Sequence, residues 1–143
     1  MAEWVVGEHL WPTRRQAAID AVRATAERAR RDHAGARLVL ATGAYQPLGE
    51  AFARRIGADV ALGTPLELRD RLVTGSLAGP TASGEAKAAA VLAEAAGGEV
   101  LAAFGDTVAD IPLLRLAMRS VAVAPDTGLR REAAARGWEL LEA

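Results

Sequence analysis

From residue 37 to the C-terminus, short apolar runs alternate with alanine-rich or amphipathic stretches that close at glycine, and this rhythm restricts the fold more than any other feature. Residues 37–41 (RLVLA), 59–62 (DVAL), 100–104 (VLAAF), 120–124 (SVAVA) and 138–141 (WELL) have the length and apolar content of buried strands. Residues 47–56, 84–96, 110–118 and a segment from Asp126-Thr127 to Gly137 read as the helices between them. Parallel neighbours need crossover helices, so the order predicts a parallel sheet covered on both faces. Residues 66–78 interrupt the alternation as a small hairpin with Arg69-Asp70-Arg71 near its turn. Ahead of it all, residues 13–33 form a predicted helix. Ile19, Val22, Ala26 and Ala29 follow 3,4,3 spacing and place one stripe against a core.

With 143 residues and 51% hydrophobic content, the chain supports one domain. Aromatics are only 4%, so the core rests on Leu, Val, Ile and Ala. A net charge of −1 gives no general attraction to nucleic acid or an anionic membrane. The absence of cysteine removes disulfides, thiolate metal sites and cysteine nucleophiles. Acidic residues precede the first short apolar run, which therefore does not read as a signal peptide, and no run reaches membrane-spanning length. A cytoplasmic protein is expected, without nucleic-acid or membrane partners and with its oligomeric state open.

In a parallel sheet, ligands bind outside the carboxyl ends of the strands. Thr42-Gly43 follows the first strand, Asp106 follows the third, Asp110 stands four residues further on, and Lys87 lies in the first turn of the 84–96 helix. Two carboxylates at that spacing offer oxygen ligands of the kind Mg²⁺ takes. A threonine hydroxyl beside a glycine amide holds a phosphate oxygen, and a lysine offsets its charge. Singly, each has a plainer reading: Gly-Asp as a turn, Asp110 as a helix cap, Thr42 as a turn residue, Lys87 as a solvated lysine. Their joint order favours a magnesium–phosphate site.

ATG at 41–43, GEAK at 84–87 and GDTVADIPLL at 105–114 resemble the second, third and fourth motifs of the haloacid dehalogenase superfamily, nearest to its phosphoserine-phosphatase-like branch. LVTGSLAGP at 72–80 and VAVAPDTGLRREAAARGWEL at 121–140 are similar to the same branch. The resemblance covers roughly residues 35–143 and implies an α/β, three-layer, haloacid-dehalogenase-like (Rossmannoid) parallel sheet. It implies that Thr42 and Gly43 bind the phosphoryl group and that Lys87, a catalytic residue, stabilises its charge. Asp106 would ligate Mg²⁺, and Asp110 would ligate it through water or orient Lys87. The expected substrate is a small phosphorylated metabolite. Ala109 stands where relatives often carry a polar residue that helps hold substrate.

The family's first motif, DxDx[TV], sits on the first central strand and supplies the nucleophilic aspartate. Before Thr42 this chain has only Asp20 and Asp32, both in the predicted 13–33 helix and neither with an Asp two residues away. The sheet is therefore expected to lack its first central strand. Residues 1–35 are expected to be a helical segment from the junction of cap and core, with 36–143 as the core carrying the remaining motifs. Residues 3–7 (EWVVG) are the one local candidate for the missing strand. The implied function is a magnesium-dependent phosphomonoester hydrolase, truncated and inactive alone. The alternative is a non-catalytic module that binds magnesium and phosphate or a partner, or a pseudoenzyme paired with a chain carrying the first motif.

Other features read as structure. Seven arginines between 14 and 37 are interrupted by acids and lack aromatic neighbours, so they form a solvated, ion-paired face. His9 and His33 lack metal-ligand spacing. Trp4, Trp11 and Trp138 read as core or interface residues, and Tyr45 and Gln46 as candidates for the pocket mouth.

Overall fold

The computed structural model describes residues 1–142. After helical turns at the N-terminus, including α1 (Ala2–Val5), the order is α2 (Gln16–Asp32), β1 (Val39–Tyr45), α3 (Gln46–Ile56), β2 (Val60–Thr64), β3 (Leu66–Arg69), β4 (Leu72–Leu77) and α4 (Gly84–Ala95). It continues with β5 (Val100–Gly105), α5 (Ile111–Leu114), β6 (Ala117–Val123), α6 (Thr127–Arg136) and β7 (Glu139–Leu141). The alternation yields the mixed α/β architecture its periodicity predicts. Among the described residues, no helix is long and apolar enough to cross a membrane.

Helices α3, α4 and α6 end on a left-handed residue, at Ala96 (φ 49°) for α4. Gly57 closes α3 at φ 79° and Gly137 closes α6 at φ 68°. The hairpin β3–β4 is antiparallel and turns on Asp70 (φ 50°) and Arg71 (φ 66°), the two central residues of a primed-type turn.

The parallel strands form two separate ladders. β1 pairs with β2, and β5 pairs with β6, which pairs with β7; no ladder joins β1 to β5. The main core lies under the three-stranded half, where Leu114, Ala122, Leu129 and Ala133 are fully buried. Helix α4 lies behind both halves. Before β1, Arg37 bonds to Glu94 near the C-terminal end of α4 at 2.7 Å. At the other end, Thr64 Oγ1 donates to the Gly43 carbonyl and accepts from Ala82 N, tying the end of β1 to the entry of α4. Lys87 in α4 reaches Asp110 beyond β5 at 2.7 Å. The carboxyl ends of β1 and β5 therefore share one rim.

Two expectations are corrected, and a third, Trp4 as a core or interface residue, is narrowed. Residues 3–7 are helical: Ala2–Val5 is an α-turn and Val6–Leu10 a π-turn. Val6 is fully buried, Glu3 pairs with Arg54, and the Trp11 ring meets Phe52 edge-on at 5.6 Å, so this segment packs against α3. The 110–118 helix is only Ile111–Leu114, because Ala117 and Arg119 are taken into the ladder opposite Val100 and Ala102. Trp4 is 62% exposed and stands outside the core.

Candidate functional site

Strand β5 ends at Gly105, and the chain then tightens into a short 3-10 turn at Val108–Asp110. Gly105 is required there: a β-carbon on it would lie 2.6 Å from Asp110 Cβ. That close approach lets Asp110 fold back on the loop. Its Oδ2 accepts from the amides of Asp106 (2.9 Å) and Thr107 (3.2 Å), completing a capping box with Thr107. Its Oδ1 accepts from Lys87 Nζ at 2.7 Å. The side chains of Lys87 and Asp110 are only 12% and 8% exposed. Burial pushes the Asp110 carboxyl up. The Lys87 hydrogen bond and charge, with the two amides, outweigh it and hold the group below its ordinary value. Asp110 is thus an ionised anchor for Lys87 rather than a cap on α5.

Asp106 faces outward from the same loop. Its Oδ2 accepts from Arg15 Nη1 at 2.9 Å, a half-exposed pair. Its carbonyl accepts from Asp126 N, and Asp126 Oδ2 in turn accepts from Val108 N, so α6 braces the loop. On the other side of the rim, Thr42 Oγ1 accepts from Ala44 N at 3.1 Å, a small turn that leaves Gly43 exposed. Thr42, Gly43, Lys87, Asp106 and Asp110 all lie at the carboxyl rim shared by β1 and β5.

Asp106 suits a hard divalent cation through its carboxylate oxygens; both oxygens of Asp110 are already engaged. Among the described residues, no three His, Asp or Glu side chains cluster as a ready metal cage. One carboxylate matches the way Mg²⁺ is held, with water and phosphate supplying the other oxygens.

Sequence reasoning missed Arg15, which lies 91 residues from Asp106 in the chain. Its placement depends on how α2 crosses the sheet, and no local signal marks it. Thr64, buried and bridging two backbones, was missed for the same reason. Two of the four arginines within α2 are ion-paired or backbone-bonded: Arg23 donates to the carbonyls of Arg55 and Ile56, and Arg30 pairs with Asp59. Gln46 is occupied in clamping β2, donating to the Ala61 carbonyl and accepting from Gly63 N.

Residues 3–115 match the sequence profile of haloacid dehalogenase-like hydrolases. The phosphoserine phosphatase SerB1 of Mycobacterium tuberculosis is 38% identical over 111 residues, 75% of this chain and 36% of that protein. The inhibition of morphological differentiation protein of Streptomyces azureus is 36% identical over 104 residues, 68% of this chain and 35% of that protein. The chain therefore spans little more than a third of these relatives. A Bordetella pertussis protein of unknown function superposes with a TM-score of 0.84 at 28% identity, over 99% of this chain and 64% of that one. A probable phosphoserine phosphatase from Vibrio cholerae shares the fold at a TM-score of 0.58 and 22% identity, over 67% of this chain and 31% of that one. The profile match across most of the chain, the motif residues on one rim and the shared fold place this chain in the haloacid dehalogenase-like hydrolase family.

Proposed function

We propose that this chain is the phosphate- and magnesium-holding part of a phosphomonoester hydrolase acting on a small phosphorylated metabolite. The nearly buried Lys87–Asp110 pair beside Asp106, at the carboxyl rim, carries the reading. Thr42 Oγ1 and the Gly43 amide would receive phosphoryl oxygens, Lys87 would offset their charge, and Asp106 would ligate Mg²⁺ with Asp110 fixing Lys87. A bound magnesium would supply further charge neutralisation at the phosphoryl group. Residues 1–35 would form the junction to a cap.

No residue before Thr42 serves as the nucleophile. Asp20 is exposed on α2, where its Oδ1 accepts from Gln16 Nε2 at 2.8 Å. The chain alone is therefore expected to leave p-nitrophenyl phosphate with Mg²⁺ unhydrolysed, since losing a covalent nucleophile typically removes several orders of magnitude in rate. Mg²⁺ should still bind, and binding should vanish in Asp106→Asn. Magnesium-dependent turnover abolished by Asp20→Asn would overturn the reading. An in-frame DxDx[TV] upstream of the Met1 codon would support it.

One contact favours the alternative of a non-catalytic module: the Arg15 guanidinium occupies one carboxylate oxygen of Asp106, the residue that would ligate a metal. The pair is half exposed and weak, so millimolar Mg²⁺ should displace it. A chain that ignores Mg²⁺ even as Arg15→Ala would favour the partner-binding form of that module.

A further inference from the structure

The start of α2 runs against the electrostatics of a helix. A helix N-terminus carries partial positive charge and favours a polar cap and acids in its first turn. Here Arg15 stands at the N-cap, no side chain caps the free amides, and the first turn holds no acid. Arg14 adds a second cation beside it, but the two are held differently. Arg14 is fixed within its own segment: its guanidinium donates to the Trp11 carbonyl at 2.9 Å and to the Gln16 side chain, and lies 4.6 Å from the centre of the Trp11 ring. Among the described residues, the Arg15 side chain has one hydrogen-bond partner, Asp106 Oδ2 at 2.9 Å.

That bond joins two blocks. The segment before α2 is fastened to α3, through Glu3 with Arg54 and through Trp11 with Phe52 and Arg55. Asp106 belongs to the loop after β5, and its backbone is held from both sides. Its amide donates to Asp110 Oδ2, and its carbonyl accepts from Asp126 N. Asp106 is therefore the fixed partner. Arg15, on a long side chain that is 47% exposed, is the movable one.

We propose that Arg15 is a latch released by the metal: Arg15 and a divalent cation compete for Asp106. While Arg15 holds the carboxylate, the uncapped, cationic start of α2 is pinned to the loop. A divalent cation on Asp106 repels the guanidinium, and the first turn of α2 then loosens. Metal occupancy is thereby passed to the segment fastened on α3. The release rests on Asp106 being the metal ligand of the proposed function; the pinning of α2 by Asp106 does not. Linkage makes the effect reciprocal, since a contact that Mg²⁺ opens must also weaken Mg²⁺ binding.

Two measurements on the 143-residue chain test the latch, with Mg²⁺ compared against KCl of equal ionic strength because salt alone weakens an exposed pair. In titration calorimetry, Arg15→Ala should bind Mg²⁺ about two- to fivefold more tightly than wild type, the range a half-exposed pair allows. In hydrogen exchange, the reporter is the Ile19 amide, which donates to the Arg15 carbonyl at 3.1 Å. It should exchange about two- to fivefold faster when wild type takes up Mg²⁺. In Arg15→Ala and in Asp106→Asn it should be that fast from the outset and gain nothing from Mg²⁺. The Leu129 amide, held by Asp126 on the other side of the loop, should not respond. Equal Mg²⁺ affinity in wild type and Arg15→Ala overturns the latch and leaves the metal site standing. So does an Ile19 response that survives in Arg15→Ala, or an equal loss of protection at Leu129. Failure of Mg²⁺ to bind either wild type or Arg15→Ala overturns the metal reading, and the latch falls with it.

Discussion

β1 and β6 are built from the same kind of residues and end in different environments. In β6, Val121, Ala122 and Val123 are 3%, 0% and 5% exposed. In β1, Val39, Leu40 and Ala41 are all only half buried. The difference is in the neighbours, since β6 has a parallel strand on each edge and β1 has one. Hydrophobic sequence sets what a strand can bury; a second ladder and two covering helices decide whether it does. The three-stranded half supplies those from within the chain. The two-stranded half is bound to the rest by contacts around the gap between β1 and β5. Arg15–Asp106 and Arg119–Thr25 hold α2 to the β5 side, and Arg23–Ile56 and Arg30–Asp59 hold it to the β2 side.

The largest effect should come from striking the two halves with one kind of substitution. Leu114 is fully buried under the three-stranded half, and Leu114→Ala should cost about 4 kcal/mol in urea unfolding. Leu40 borders the gap between β1 and β5, and Leu40→Ala should cost about 1 kcal/mol, since its side chain already lacks part of its packing. Equal costs would mean that this gap is closed in solution and would break the contrast.

Next in size is the ion pair at the rim. Asp110→Ala strands a nearly buried lysine and leaves the Asp106 and Thr107 amides without their acceptor. The expected cost is about 3 kcal/mol. The double variant Asp110→Ala with Lys87→Ala should cost clearly less than the two singles together, because the uncompensated charge disappears. Additive costs would show that the pair is solvated and not part of a rigid rim.

A smaller effect is expected at Asp126. Its Oδ1 accepts from Leu129 N at 2.8 Å as the N-cap of α6, and its Oδ2 accepts from Val108 N at 3.0 Å. Asp126→Ala should cost about 1 to 2 kcal/mol and weaken Mg²⁺ binding at Asp106 by loosening the loop. Asp126→Asn keeps an acceptor for the helix and should recover much of the stability.

How much was legible in advance follows the same division. The strand–helix order, the closing glycines and the rim positions of Thr42, Lys87, Asp106 and Asp110 follow from local pattern, and the folded chain agrees with them. The family's topology implies a missing strand between β1 and β5 and leaves open whether the two then close on each other; no ladder joins them, and no local feature of residues 37–41 or 100–104 shows which strands are neighbours. Residues 115–118 (RLAM) carry good helix formers, yet Ala117 pairs with Val100 because the ladder outweighs intrinsic propensity. Residues 3–7 are too few to declare a period; in the structure they are helical, with Val6 buried. Arg15 was beyond reach of sequence because its partner is set by how α2 crosses the sheet.

The smallest effect tests one fastening of the weaker half. Asp59 Oδ2 accepts from Leu38 N and from Arg30 Nη2, both at 2.8 Å, and so joins the start of β1 to α2. The Leu38 amide first, then the Arg30 hydrogen bond, holds the Asp59 carboxyl below its ordinary value despite some desolvation. A carboxylate with a lowered folded pKa adds stability above its unfolded pKa, and that contribution fades as pH falls through the folded one. Asp59→Asn keeps an acceptor for Leu38 N and loses the charge facing Arg30. Because both partners are over 40% exposed, the cost at pH 7 should be only a few tenths of a kcal/mol. It should vanish as pH drops below the ordinary carboxylate range, where wild-type Asp59 is itself neutral. Arg30→Gln should remove the same increment, and the double variant should add nothing to it. A cost that persists at low pH would assign the tie to the shape of the β1 start. Protection of the Leu38 amide, taken relative to its intrinsic exchange rate, would then be unchanged by pH while α2 remained in place.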